Sequence, residues 1–154
     1  MSKSRYRTSG PDRKEDLAAI SGRAEITNAR VHKFFVAVAF DRQNLASVTG
    51  NELFFRRCSF IESDLRLATL DGCSFIRCDF EGVNLRGASL RHAGFAGCSF
   101  RDADLRDADL TGVRITFAGS RNDPNRKASS LLGAMLDRAV LTDAEIEAEA
   151  WPMP

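Results

Sequence analysis

The residues in this chain that could do chemistry recur at fixed intervals. Asn44, Asp64, Asp79, Asn84, Asp104 and Asp109 include carboxylates that could pass for a general acid–base pair. Each stands directly before a large apolar residue, however. A short polar side chain repeated at one structural position reads as a partner for local backbone donors at corners. The two histidines, His32 and His92, suggest no base: His92 falls where an outward, solvated corner is expected. Cys58, Cys78 and Cys98 are twenty residues apart, with Cys73 between them. They alternate with Ala, Val and Ser at equivalent places, so they read as small buried hydrophobes. A zinc site would need CxxC-type spacing, which is missing. There is also no nucleophile elbow, glycine-rich phosphate loop or HExxH. No catalytic, cofactor-binding or metal-binding residues are expected, and an enzyme is not.

The element that positions these residues has a five-residue period. Steps of five from Phe40 reach Leu45, Gly50, Phe55, Phe60, Leu65, Leu70, Phe75, Phe80, Leu85, Leu90, Phe95, Phe100, Leu105, Leu110 and Ile115. Only Gly50 is not large and apolar. The residue two places earlier is usually small, Gln43 and Leu53 excepted. Five residues advance about 140° on a helix and mark no face. On one flat strand they alternate between faces. The chain must therefore turn after each short extended run. Every twentieth residue gives nearly uniform columns: Phe60, Phe80, Phe100; Leu65, Leu85, Leu105; Leu70, Leu90, Leu110; Phe55, Phe75, Phe95. Four sides per coil explain this, with like stacked on like around one continuous core. Gly72, Gly82, Gly87, Gly97 and Gly112 fall where tight corners use a positive φ.

The run CSFIESDLRLATLDGCSFIRCDFEGVNLRGASL, continuing to RDADLRDADL, resembles the pentapeptide-repeat family, with its motif of roughly A(D/N)Lxx. The resemblance implies an all-β fold, a right-handed four-sided parallel β-helix, here of about five to six coils. With coils about 4.8 Å apart, neighbouring cysteines of one column would come within disulfide reach.

The chain has 154 residues, with 22 Lys and Arg against 21 Asp and Glu. That balance argues against a general nucleic-acid binder. With no membrane-length apolar run and no hydrophobic leader at the start, the expectation is a soluble, cytoplasmic protein. Residues 1–16 read as a flexible basic tail, 17–36 as a cap and irregular first coil, and 37–117 as the regular solenoid. Residues 118–128 read as a protruding loop and 129–154 as a last coil and C-terminal cap. Leu17, Ala18, Ala19 and Ile20 suggest a short covering helix. Ile26 with Ala24, and Val31 with Ala29, look like repeats out of phase. Around Thr49-Gly50-Asn51 a bulge or small loop is expected. For residues 129–150 a helix is the rival to a coil. Trp151 is placed over the last coil or in a dimer contact.

Function is then a matter of surface. Arg66, Arg86 and Arg106 form one outward column, beside an acidic stripe of Asp41, Glu62, Asp64, Glu81, Asp102 and Asp104. The stripe either neutralises the arginines or meets a partner. Family resemblance adds specific possibilities: some members resemble B-DNA in shape and charge and bind type II topoisomerases such as gyrase, conferring quinolone resistance or self-protection. In those members projecting loops matter and dimers form through the C-terminal end. The counterpart here is the loop with Arg121, Asn122, Asp123, Asn125 and Arg126. The expected function is a rigid, non-enzymatic protein-interaction surface with a topoisomerase as a specific partner. The alternative is a structural or assembly module. Direct nucleic-acid binding through the tail and the arginine column ranks last.

Overall fold

A computed structural model describes residues 22–147; the basic tail, Leu17–Ile20 and Trp151 lie outside them. Six short strands, β1 (Phe34–Val36), β2 (Phe54–Arg56), β3 (Ser74–Ile76), β4 (Gly94–Ala96), β5 (Arg114–Thr116) and β6 (Glu145–Ile146), form one parallel sheet in chain order. The register aligns Phe35, Phe55, Phe75, Phe95, Ile115 and Ile146. The other three sides are ladders of single parallel bridges, running through Ser59–Asp79–Ser99, Asp64–Asn84–Asp104 and Thr69–Ser89–Asp109. The result is a four-sided β-solenoid. Four turns from β1 to β5 are regular, fewer than the five to six expected, and a fifth, longer turn leads to β6.

Coil spacing dictates the packing inside. Phe40, Phe60, Phe80 and Phe100 stack with ring centroids 4.9, 4.9 and 5.0 Å apart. Phe35, Phe55, Phe75 and Phe95 stack likewise at 5.0, 4.8 and 4.8 Å. Where the two ladders meet, rings lie edge to face, as for Phe55 and Phe60 at 69°, the arrangement that the aromatic quadrupole favours. Leucine columns fill the other two sides, and all four columns are buried over the regular turns. The small residues are buried as well, Val38 only partly. The Cys58, Cys78 and Cys98 thiols donate to the carbonyls of Phe35, Phe55 and Phe75, so the column holds free thiols rather than disulfides.

Every corner takes a left-handed residue. Gly72, Gly82, Gly87, Gly97 and Gly112 have φ between 64° and 70°, but Arg57, Glu62, Leu67, Arg77 and Asp107 do the same at 54–62°. The solenoid therefore imposes this conformation whichever residue is there, at about 1 kcal/mol or more for each non-glycine.

Two expectations fail at the N-terminal end. Residues 22–27 form a helix, so Ile26 belongs to a helical cap and not to an out-of-phase repeat, and Val31 is exposed. No bulge or loop interrupts 49–51: Thr49 bridges Thr69, and the Gly50 N–H donates to the Thr69 carbonyl at 2.9 Å. Gly50 lacks a side chain because the cap occupies its space.

After β5 the chain leaves the ladder and returns at Ser130, which bridges Ser99. Ala118 and Lys127 close the excursion by an antiparallel bridge, with N–H···O distances of 2.8 and 2.9 Å in the two directions. Met135 and Val140 then extend the ladders of Asp104 and Asp109.

Candidate protein-interaction surface

The six Asx residues do one job, at one distance. The side-chain oxygens of Asn44, Asp64, Asp79, Asn84, Asp104 and Asp109 each accept the backbone N–H two residues on, at 3.0–3.2 Å. Asn serves as well as Asp, which marks a corner cap rather than an acid. Among the described residues, no group of three or more His, Cys, Asp or Glu is placed to hold a metal. His92 stands exposed at a corner with φ 59°, and His32 Nε2 lies 3.4 Å from Glu52.

Each arginine of the column finds a carboxylate, though Arg86 shares its own with Arg138. Arg66 Nε and Nη2 grip Asp64 at 2.9 and 2.7 Å, and Arg106 grips Asp104 at 2.9 and 2.8 Å. Hydrogen bonds from these guanidiniums hold both carboxyls below the ordinary carboxylate range and push both arginines up. Arg86 follows Asn84, whose amide carries no charge, so it reaches across a coil to Asp107 at 3.3 Å. Asp107 is shared with Arg138 at 2.6 Å, chiefly through which its pKa falls. Of the remaining stripe, Glu62 pairs with Arg42 at 3.2 Å, and Asp41 accepts the Ser59 hydroxyl and the Ile61 N–H. Glu81 and Asp102 make no ion pair with a described residue. Such exposed pairs stabilise little, but they fix the side chains of the column.

The loop residues Arg121, Asn122, Asn125 and Arg126 are exposed, and Asp123 is half-buried. The Arg77 guanidinium donates to the Asn125 carbonyl at 2.8 Å, and the Arg126 guanidinium lies 3.5 Å from the centre of the Phe117 ring. The excursion is thus tied back along the corner at Arg77. At the far end Leu136, Leu141 and Ile146 are only partly buried, and Leu132, Met135 and Val140 are exposed.

One apolar area was not singled out from sequence: Phe34, Val36, Phe54 and Ile76 on the outer side of the sheet. Phe34 is 66% exposed, and its ring stacks on Phe54 at 4.7 Å. The doublets Phe34-Phe35 and Phe54-Phe55 carried the signal, because only one of two adjacent extended residues can point inward.

A packed four-sided parallel solenoid, capped by a helix and carrying its polar groups on corners, defines a repeat scaffold. Residues 51–121 match the family described as Pentapeptide repeat region. Among solved structures, it is similar to the pentapeptide repeat protein Rfr23 from the cyanobacterium Cyanothece 51142. That match covers 84% of this chain and 97% of the other at 15% identity and TM-score 0.69. It is also similar to a trypsin-treated variant of QnrB1, a plasmid-mediated fluoroquinolone resistance protein, over 79% of this chain and 66% of that one. There the identity is 14% and the TM-score 0.56. A pentapeptide repeat protein from the Arabidopsis thaliana thylakoid lumen matches over 82% of this chain and 74% of its own, at 20% identity and TM-score 0.51. These likenesses are of fold. No curated protein matches the chain. No described helix is long and apolar enough to cross a membrane.

Proposed function

We propose that this chain is a non-enzymatic scaffold that presents a rigid surface to a protein partner, and that the partner is a type II DNA topoisomerase of the gyrase kind, met in the cytoplasm. The observation that carries this reading is the use of the interior. Phenylalanine and leucine columns fill it, so recognition falls to side chains on the outside. QnrB1, a fluoroquinolone resistance protein, has a similar fold, and fluoroquinolones act on these topoisomerases. The contact surface in this reading comprises Glu62, Asp64, Glu81, Asp102 and Asp104 with Arg66, Arg86 and Arg106, and the loop Arg121–Arg126. The bidentate pairs at Asp64 and Asp104 make it a mixed-charge surface, and its likeness to DNA is one of rod shape more than of charge.

The test is gyrase supercoiling inhibited by a quinolone, with and without the full chain. The expected result is restored supercoiling, lost on deleting 119–126. No effect at excess protein would refute it. A second reading, an assembly module that pairs through its C-terminal end, is favoured by the partly exposed Leu136, Leu141 and Ile146. Light scattering that gives a dimer, converted to a monomer by Leu141→Glu, supports that reading; a monomer of the native chain sinks it.

A further inference from the structure

We propose that the outer side of the β1–β4 sheet, together with the excursion beside it, is a docking surface for an acidic amphipathic segment of a partner protein. This rests on the reading of the chain as a protein-binding scaffold but not on which protein it binds.

Two properties coincide there. Exposed Phe34, Val36 and Ile76 with half-buried Phe54 give an apolar shelf, and a shallow hollow of about 200 Å³ opens between Phe34, Phe54, Arg56, Ser74 and Ile76. Further along, the shelf stays low because its residues are Ser74, Gly94 and Ala96; a β-carbon on Gly94 would meet nothing within 4 Å. Along one edge lie Arg56, Arg57, Arg77, Arg121, Arg126 and Lys127. None of these six makes an ion pair with a described residue, in contrast to Arg66, Arg86, Arg106 and Arg138. Arg77 spends itself on a carbonyl and Arg126 on an aromatic ring, so both guanidiniums are held in place with their charge unopposed. The excursion contributes one carboxylate, Asp123, already accepting the Asn125 N–H. On the opposite edge Lys33 and Arg91 are ion-paired with Glu25 and Asp109, and Glu52 and Asp71 add carboxylates, so the uncompensated positive charge lies on the excursion side.

Apolar shelf and uncompensated cationic edge call for a ligand with both an apolar face and carboxylates. An amphipathic helix with acidic residues on one flank has that form. From β1 to β4 the shelf spans about 14 Å, the rise of about ten helical residues. A nucleic-acid strand suits it less well. Val36 and Ile76 offer bases no aromatic platform, and the Phe34 ring already stacks on Phe54 at 4.7 Å.

The test uses the full chain and a fluorescent peptide of about fourteen residues with Leu at i, i+3, i+4 and i+7 and Glu on the flank. Comparators are the same composition scrambled, the Lys-for-Glu version, oligo-dT and phosphatidylglycerol vesicles. Binding of the acidic amphipathic peptide alone is expected, with Kd raised at least about tenfold by Arg121→Glu/Arg126→Glu and by Phe34→Ser/Ile76→Ser. Ser47→Ala, at a corner away from the shelf, should leave it unchanged, and circular dichroism of each variant checks the fold. The proposal is overturned if the peptide does not bind, if the scrambled peptide binds equally, if oligo-dT or vesicles bind instead, or if well-folded shelf variants bind normally. Peptide binding without a supercoiling effect defeats the topoisomerase reading alone; a supercoiling effect without peptide binding defeats this one alone.

Discussion

Ile26 stands where the side chain of Gly50 would be. A β-carbon on Gly50 would lie 2.8 Å from Ile26 Cγ2 and 2.7 Å from Leu53 Cδ1, so the helical cap completes the coil that the glycine leaves short. Ile26→Ala is expected to cost about 2–4 kcal/mol through the cavity it opens. Gly50→Ala should cost about 1–3 kcal/mol by overpacking, since its β-carbon alone meets both side chains. Ile26→Ala/Gly50→Ala should cost less than the sum of its single changes, because the new methyl enters the vacated space. Urea melts of the four proteins measure this coupling.

That relationship marks the limit of what the sequence discloses. The columns of Phe and Leu were legible because twenty-residue periodicity repeats the same instruction on every coil. Ile26 with Ala24 imitates one repeat, and a single small-large pair cannot distinguish a helix from a coil. Gly50 reads as a gap for the same reason: its filler comes from 24 residues upstream, beyond any local pattern. On the outside, the columns of Arg66, Arg86 and Arg106 and of the acids were legible as columns. Their pairing was not, because it turns on Asn84 replacing an Asp and sending Arg86 across a coil to Asp107.

Phenylalanines inside and outside the solenoid should answer differently to truncation. Phe80 is buried between Phe60 and Phe100 at 4.9 and 5.0 Å, and Phe80→Ala should cost about 3–5 kcal/mol. Phe34→Ala removes an exposed ring with one stacked neighbour and should cost no more than about 1 kcal/mol. Chemical denaturation of both variants checks the contrast.

Acid should weaken the fold through the corner carboxylates. Asp64, Asp104, Asp107 and Asp109 have depressed pKa values, chiefly from hydrogen bonds with Arg66, Arg106, Arg138 and Thr111 respectively. A depressed folded pKa gives stability that is present above the unfolded value of about 4 and lost as pH falls through the folded value. The melting temperature should therefore drop below about pH 4, and Asp104→Asn, which keeps the corner cap, should flatten part of that drop. Thermal melts across pH measure it.

The thiols should be silent until the chain unfolds. Burial pushes Cys73 up to about 12; Cys78 also stands at about 12, and Cys58 is driven higher still, first by the neighbouring Cys78 thiol and then by burial. At pH 8, Cys73 and Cys78 would be thiolate at only about one part in ten thousand. A disulfide reagent should find no thiol in the native protein and all four in denaturant, with the reaction rate tracking unfolding. Rapid native labelling of Cys58, Cys73 or Cys78 would contradict this.

The two hydrogen bonds between Ala118 and Lys127 tie the neck of the excursion, so the coils on either side meet the same two fixed ends whatever hangs between them. Residues 119–126 are in effect a cassette: length and chemistry there can change without shifting the register of Ser99 against Ser130 or of any later rung. New specificities can be tried at that socket, by selection or by an engineer, while the spring that carries it winds unchanged.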